Sequence, residues 1–141
     1  MKRRMTLKEA KKFHGHLGPY LVLGILAGDL ALKKLGSKKY FGLSVKVYGA
    51  NKKPKSCLVD GLQLSTGATY GKGNINKFNA PAIRIEILNN SNSKKITLSL
   101  RGNVIKQLEK TRKHIDSENL AKRLFKKEPE NVFIYNLIPT I

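Results

Sequence analysis

A chain of 141 residues, 40% of them hydrophobic, is long enough to bury the core of one domain without disulfide bonds. Its single cysteine excludes an intramolecular disulfide, and no apolar segment with a cleavage site follows the basic start, so we expect a cytoplasmic protein without a signal peptide. The net charge of +19 predicts attraction to nucleic acid, anionic lipid or an anionic substrate, unless the charges only solvate the surface.

Two helices are predicted in the first 36 residues. Thr6-Leu-Lys-Glu9 has the pattern of a capping box, so a short helix is expected to run from there to about Lys12. Pro19 suits the first turn of the next helix, and Gly36 lies where that helix would stop. The residues between them are almost all apolar, so the second helix is expected to be buried on most sides.

Strand and helix patterns follow one another through the rest of the chain. Strands are predicted at residues 43–48, 74–78, 83–88, 96–100 and 132–138. Helices are predicted from Cys57 to about Ser65, where Gly67 and Gly71 end the helix, from Asn103 to His114 and from Ser117 to Lys126. His114 is interpreted as a solvated residue at a helix end, without a role in function. This order of elements predicts a single α+β domain over residues 1–141.

Two histidines, His14 and His16, lie between the first two predicted helices. On an extended segment, residues two positions apart face the same way, so both rings suit one metal ion. The helix that begins at Pro19 favours an anion near its N-terminus, such as a substrate oxygen. The alternative is that the imidazoles only satisfy backbone groups of the turn.

The cysteine, Cys57, is expected at the start of a helix, where the helix dipole lowers the pKa of a thiol. A thiolate and two imidazoles give three protein ligands and leave a fourth tetrahedral position open, as in catalytic zinc sites. Asp60 lies one turn later on the same face, so it can accept a proton or orient a histidine. The alternatives are a small buried hydrophobic residue for Cys57 and a solvated or capping carboxylate for Asp60.

A cluster of polar residues follows Asp60. Gly71-Lys72-Gly73-Asn74 lacks the spacing and the Ser or Thr of a phosphate-binding loop. Lys72 can instead bring a positive charge to an anionic substrate or to a developing negative charge. Gln63, Thr66 and Tyr70 can provide hydrogen bonds to the same substrate, although residues of these types also cap helix ends.

Taken together, the segments Phe13–Leu21, Cys57–Gln63, Thr66-Gly67 and Gly71–Asn74 resemble the FmdE family of formylmethanofuran dehydrogenase proteins, roughly from residue 10 to residue 105. The resemblance implies an α+β core with a mixed sheet of about five strands flanked by helices, in a loosely thioredoxin-like arrangement. It also implies zinc, or another divalent transition metal, with His14, His16 and Cys57 as ligands. The pocket would then be lined by Asp60, Gln63, Thr66, Tyr70 and Lys72. Some genes of the family accompany the molybdenum or tungsten enzyme that makes formylmethanofuran.

The chain departs from the family pattern in two ways. Many members have cysteines where this chain has Gly18 and Ala68. A dithiol redox cycle within one chain is therefore excluded, which favours Lewis-acid or binding chemistry. Many members also carry a cysteine-rich zinc finger at the C-terminus, where this chain has basic helices and an apolar strand.

These observations leave three functions open. In the first, the chain is a metal-dependent enzyme or a metal-carrying accessory protein, with Asp60 as proton carrier and Lys72 as anion clamp. In the second, it is a non-catalytic component that docks to a larger redox complex through its basic surface and a seam at Gly24 and Gly28, which would also suit a homodimer. In the third, it binds nucleic acid through charge, although no binding motif accompanies that charge.

Overall fold

A mixed sheet of five strands carries the helices on one face in the computed structural model, which describes residues 5–139. In chain order the elements are α1 (Leu7–His14), α2 (Pro19–Leu35), β1 (Leu43–Tyr48), α3 (Cys57–Thr66), β2 (Ile75–Phe78), β3 (Arg84–Asn89), β4 (Lys95–Leu100), α4 (Gly102–Lys110), α5 (His114–Phe125) and β5 (Phe133–Ile138), with single 3-10 turns at Tyr40–Gly42 and Pro129–Asn131. Buried and more exposed residues alternate along β1, β3 and β4, so one sheet face packs on the core. The predicted α+β class is confirmed.

The sheet order places α3 in a crossover connection. The strands lie in the order β2-β1-β3-β4-β5; β1 and β2 are parallel, and the other neighbours are antiparallel. Two adjacent parallel strands cannot be joined by a tight hairpin, because the chain must return to the same end of the sheet. The return path here contains α3, which packs against α2. This topology brings the start of α3 next to the N-terminal part of α2.

The glycine seam of α2 is filled by α3 of the same chain. A Cβ on Gly24 would collide with the carbonyl oxygen of Leu58, and one on Gly28 would collide with the hydroxyl oxygen of Ser65. The prediction that another backbone approaches this seam is correct, and that backbone is intramolecular. The seam therefore does not provide the docking or dimer surface that we expected from the sequence.

The boundary between α4 and α5 differs from the prediction. The sequence predicts one helix up to His114, but α4 ends at Lys110 and His114 is the first residue of α5. The hydroxyl of Thr111 donates to the carbonyl of Gln107 at 2.7 Å, and Thr111 itself is extended, with φ −87° and ψ 110°. This side-chain bond satisfies a carbonyl at the helix end, as local Ser and Thr bonds often do. His114 is consequently at a helix start.

No single helix within residues 5–139 has both the length and the apolar character to cross a membrane. In this part of the chain, only α1 and α2 taken together would reach that length, and they meet at a bend of 120°. Most residues of α2 are buried inside the domain, as expected of a core helix.

Candidate metal centre

The two N-terminal histidines are brought together by a reversal of the chain at Gly15. His14 is the last residue of α1, which runs two residues further than predicted and begins with the expected capping box at Thr6. Gly15 ends the helix in the left-handed region, with φ +101°, a conformation that glycine adopts without steric cost. The rings of His14 and His16 then lie 4.6 Å apart, centre to centre. The segment is thus a helix end followed by a turn rather than an extended segment, but both rings do reach one place.

Cys57, the first residue of α3, meets the histidine pair. One ligand atom from each of His14, His16 and Cys57 lies within 4.8 Å of the others. Around a tetrahedral zinc ion, with bonds of about 2.0–2.3 Å, neighbouring ligand atoms are about 3.3–3.7 Å apart. Side-chain shifts on the order of 1 Å would therefore close the three groups around one ion. The two sequence motifs meet in space as predicted.

His14 has the hydrogen bonding of a metal ligand. Its Nδ1 lies 2.6 Å from Oδ2 of Asp60, and because a carboxylate only accepts, Nδ1 carries the hydrogen. In the neutral ring, Nε2 is then a lone-pair nitrogen, and it is buried without a partner among the residues that the structure describes. Buried polar atoms are rarely left unpaired. A metal ion at Nε2 would satisfy this atom, and histidine ligands commonly donate their other nitrogen to a carboxylate.

The surroundings lower the pKa of His16, which favours metal binding, and raise the pKa of Cys57, which opposes it. Burial, together with the neighbouring charges of His14 and His114, lowers the pKa of His16, which favours the neutral imidazole that a metal needs. Burial and the charge of Asp60 raise the pKa of Cys57. The expected lowering by the helix dipole is therefore wrong for the metal-free protein.

The hydrogen bonds at the start of α3 explain why the helix dipole does not outweigh the effects of burial and Asp60 on the pKa of Cys57. The backbone N–H groups of Cys57, Leu58 and Val59 donate to carbonyl groups of the preceding turn, at 3.0–3.1 Å. These donors are thus already paired within the turn. The N–H of Cys57 still lowers the pKa of the thiol, but by less than burial and Asp60 raise it. Deprotonation of Cys57 would instead depend on a nearby cation, which favours the thiolate directly.

Gln63 connects the Asp60 carboxylate to the loop after α3. Its amide nitrogen donates to Asp60 Oδ1 at 3.4 Å, and its amide oxygen accepts the backbone N–H of Tyr70 at 3.2 Å. Asp60 therefore receives hydrogen bonds on both of its oxygens, one from His14 and one from Gln63. This arrangement fixes the carboxylate that orients His14. Gln63 therefore contacts Asp60 directly. A direct contact of Gln63 with substrate stays a prediction.

Thr66 and Lys72 lie at the far end of α3 from Cys57. Thr66 is fully buried; its hydroxyl donates to the carbonyl of Leu62 at 2.6 Å and accepts from the N–H of Ala68 at 3.1 Å. Lys72 contacts Thr69, and its ammonium group lies 5.7 Å from the ring centre of Tyr40. Within residues 5–139, neither side chain, nor that of Gln63 or Tyr70, lines the pocket beside Cys57. Their roles in substrate binding stay predictions.

His114 is a residue of the site that was not predicted from the sequence. A pocket of about 180 Å³ beside the ligand cluster is lined by His16 and Cys57 on one side and by His114 on the other. The ring of His114 lies 6.5 Å from that of His16, and its Nε2 is 3.1 Å from Oε1 of Glu118. The spacing of four residues between His114 and Glu118 was a usable signal, because such residues adjoin on a helix. The sequence prediction placed His114 and Glu118 on two different helices, so this signal was missed.

Asp60→Asn is expected to lower the metal affinity by about 10–100-fold, because outer partners that orient a histidine ligand have effects of this size. The amide keeps the volume of the side chain but provides a weaker acceptor for His14 Nδ1. Competition with a chromophoric chelator measures the affinity. Glu128→Gln is the matched control, since it changes a carboxylate between α5 and the second 3-10 turn, away from the ligands. An Asp60→Asn protein that binds metal as tightly as wild type would show that Asp60 does not support His14.

Comparison with known proteins agrees with the fold and the motifs. The family model described as "FmdE, Molybdenum formylmethanofuran dehydrogenase operon" matches residues 13–137. The chain is similar to a crystal structure of a tungsten formylmethanofuran dehydrogenase FmdE-like protein from Syntrophus aciditrophicus, with a TM-score of 0.67 and 18% identity over 100% of this chain and 78% of that one. At this identity the likeness shows a shared fold.

A curated relative matches part of the chain. It is a "Probable S-adenosyl-L-methionine-binding protein" of Archaeoglobus fulgidus, 37% identical over 70 residues, which is 49% of this chain. The match spans only 19% of that relative's length. In contrast, the region of this chain that the family model matches, residues 13–137, contains the histidine pair, Cys57 and nearly the whole sheet. Because the family model matches most of the chain, the chain belongs to the FmdE family.

Proposed function

We propose that His14, His16 and Cys57 bind one transition-metal ion, with zinc the expected ion, and that the ion holds a small molecule at its open position. The observation that carries this proposal is Nε2 of His14, which is buried and has no partner within residues 5–139, in a ring fixed by the bond from Nδ1 to Asp60. The proximity of the other two ligand atoms supports it. The function is that of a metal-dependent enzyme or a metal-carrying accessory protein.

The ligand types narrow the choice of ion. Imidazole and thiolate suit zinc, iron or nickel, whereas magnesium and calcium prefer oxygen ligands. Three protein ligands with an open fourth position are typical of catalytic zinc sites, while structural zinc sites have four protein ligands. His16 is exposed, and His14 and Cys57 are half-buried, so the site is open to solvent on one side.

The residues around the ion have separate tasks in this proposal. A bound ion would supply Lewis-acid polarisation of a substrate carbonyl or activation of water. Asp60 keeps the hydrogen of His14 on Nδ1. Its side chain is 37% exposed but, within residues 5–139, does not line the adjoining pocket, so its role as a proton carrier stays a prediction. The N-terminus of α2, which no side chain of the described part of the chain caps, favours a negatively charged group in the adjoining pocket.

Metal analysis of protein purified without chelator tests the proposal. One equivalent of zinc per chain is expected, removed by a strong chelator and restored by added zinc. Mass spectrometry of the metals identifies the native ion at the same time. A protein that contains no transition metal, and that takes up neither zinc, iron nor nickel after purification, would refute the proposed site.

The family description also favours a role beside a larger enzyme. It refers to the operon of formylmethanofuran dehydrogenase, and we propose docking to such a redox complex as the alternative function. The net charge of +19 suits an acidic partner surface. The pocket does not favour, for this chain, the ligand in the name of the Archaeoglobus relative. The pocket of about 180 Å³ is smaller than the roughly 300–1,000 Å³ that larger organic ligands occupy.

A further inference from the structure

Exposed aromatic rings lie on the outer face of the sheet, at the edge formed by β1 and β2. Buried and more exposed residues alternate along β1, so Lys46 and Tyr48 point away from the core. Phe78 of β2 pairs with Tyr48 in register, and the two rings stack with their centres 5.1 Å apart. Phe78 is still 40% exposed. This edge therefore presents an aromatic surface to solvent.

A second group of exposed aromatic residues lies at the opposite end of the same two strands. Because β1 and β2 are parallel, the segments that precede them meet at one end of the sheet. Tyr40 and Phe41 precede β1 and are 57% and 71% exposed. Lys72 precedes β2, and its ammonium nitrogen lies 5.7 Å from the ring centre of Tyr40 and 5.8 Å from that of Phe41. One cation thus lies beside two exposed rings.

The backbone at Tyr40 is held in a conformation that a residue with a side chain rarely adopts. Its φ is 67°, in the left-handed region. Nδ2 of Asn74 donates to the carbonyl oxygen of Tyr40 at 2.6 Å and to that of Leu43 at 3.0 Å. A Cβ at Gly67 would overlap the ring of Tyr40, so this ring lies against the backbone of Gly67. The ring is therefore fixed in position although the residue is largely exposed.

Positive charges lie along the path between the two aromatic groups. Lys46 points outward from the middle of β1 and is exposed. The guanidinium group of Arg84 lies against Tyr48, with its central carbon 4.2 Å from the ring centre. Together with Lys72, each aromatic group has its own cation and a third cation lies between them. We call these residues the aromatic–basic strip: Tyr40, Phe41, Lys46, Lys72, Phe78 and Arg84.

Few carboxylates offset these charges. Residues 38–84 contain eight lysines and one arginine against a single carboxylate, Asp60. That carboxylate is bound to His14 at the start of α3. Glu86 is the one acidic residue in the five strands of the described chain, and its Oε1 lies 4.0 Å from the ammonium nitrogen of Lys95. The strip therefore has an excess of positive charge and favours an anionic partner.

Single-stranded nucleic acid is the partner that suits both the rings and the cations. Unpaired bases stack on exposed aromatic side chains, and the phosphates between the bases pair with cations. A duplex keeps its bases stacked on each other, and an acidic protein or an anionic lipid surface would use the cations alone. The six residues of β1 span about 17–20 Å, so a strand of several nucleotides is needed to reach both aromatic groups.

We propose that the aromatic–basic strip binds single-stranded DNA or RNA, with one base on Phe41, one base on Phe78 and the phosphate backbone on Lys46 between them. This binding is a second function of the chain. It does not depend on the proposed metal ligands, none of which belongs to the strip. It also gives a role to Lys72, which lies at the opposite end of α3 from Cys57.

Fluorescence anisotropy of a labelled oligo(dT) or oligo(U) strand of about 12 nucleotides measures the binding. An abasic strand of the same length has the same phosphates but no bases. Wild type is expected to bind the strands with bases saturably at 150 mM salt, and to bind the abasic strand at least tenfold more weakly. Metal-free and zinc-loaded protein are expected to bind equally, because the strip contains no metal ligand.

Phe41→Ala and Phe78→Ala are each expected to weaken the binding by about 5–150-fold, the effect of losing one stacked base. Both are expected to keep the salt dependence of wild type, because a ring releases no counterions. Lys46→Gln is expected to reduce the salt slope by about 0.7, the value for one phosphate contact on a single strand. Phe13→Ala and Lys122→Gln are the matched controls, since they change an exposed ring on α1 and an exposed lysine on α5.

Equal affinity for the abasic strand and oligo(dT), or no loss of affinity in Phe41→Ala and Phe78→Ala, would overturn the proposal, because charge alone would then account for the binding. Tighter binding to a duplex of the same length, or to phosphatidylserine vesicles, would identify a different partner and also overturn it. So would the lack of saturable binding at 150 mM salt. A chain that binds no zinc would refute the metal site and leave this proposal standing. Circular dichroism confirms that each variant is folded.

Discussion

Alanine at His14 or at Cys57 is expected to lower the metal affinity by about a thousandfold. Structural zinc sites bind with apparent free energies of about 10–16 kcal/mol, so one ligand among three or four carries roughly 4 kcal/mol. His14→Ala removes the buried Nε2, and Cys57→Ala removes the site's sulfur ligand. Zinc content after gel filtration, followed by chelator competition, measures the loss.

The control for both ligand variants is His114→Ala, which removes an imidazole beside the site but outside the ligand set. Its zinc content is expected to equal that of wild type. Cys57→Ser is expected to bind zinc weakly, because a hydroxyl is a poor zinc ligand at neutral pH. If His14→Ala and Cys57→Ala retain one tightly bound zinc per chain, the assigned ligands are wrong.

Alanine at Gly24 or at Gly61 is expected to destabilise the domain by about 3 kcal/mol or more, near the upper end of the cost of overpacking a core. Added Cβ atoms would collide with the carbonyl oxygens of Leu58 and Leu21, respectively, and a backbone cannot move aside as a flexible side chain can. The two helices would have to separate. Because α3 also carries Cys57, the metal affinity of these variants is expected to fall as well.

Urea unfolding of the metal-free protein measures this effect without a contribution from bound metal. Gly102→Ala is the matched control, since a Cβ there has no neighbour within 4 Å among the described residues. Gly102 is the first residue of α4, so alanine is expected to be neutral or to stabilise by about 0.5 kcal/mol. If Gly24→Ala unfolds at the urea concentration of wild type, α2 and α3 are not packed backbone to backbone.

Local patterns were sufficient to predict most elements of the fold. Alternation placed β1 at residues 43–48, which the structure confirms, and placed β3 and β4 within one residue of their ends. A buried sheet face requires this period of two, so the signal is strong. The capping box at Thr6 and the glycine at residue 36 also have the predicted roles. These features depend on residues that are close in the sequence, so one sequence is enough to predict them.

The features that were missed depend on contacts between distant residues. Gly24 and Gly28 indicated a close approach, but the periodicity of α2 could not identify α3 as the partner. The pKa of Cys57 is raised by burial and by the charge of Asp60, which the position of Cys57 at a helix start does not reveal. His114 was assigned to the wrong helix because α4 ends at Lys110 and the backbone of Thr111 is extended, which the residue pattern does not reveal.

The candidate ligands were predictable because the residue types are rare in the chain. The sequence has three histidines and one cysteine, and two of the histidines lie two positions apart. The polar residues after Asp60 were less informative, since the same types cap helices. Thr66 shows the difficulty: its hydroxyl is used entirely by the backbone at the end of α3.

X-ray absorption spectroscopy of the zinc-loaded protein tests the central claim most directly, because it reports which elements surround the ion and at what distance. The expected shell contains two imidazole nitrogens at about 2.0–2.1 Å, one sulfur at about 2.3 Å, and one light atom at the open position. A shell made only of nitrogen and oxygen, without sulfur, would contradict the site formed by His14, His16 and Cys57.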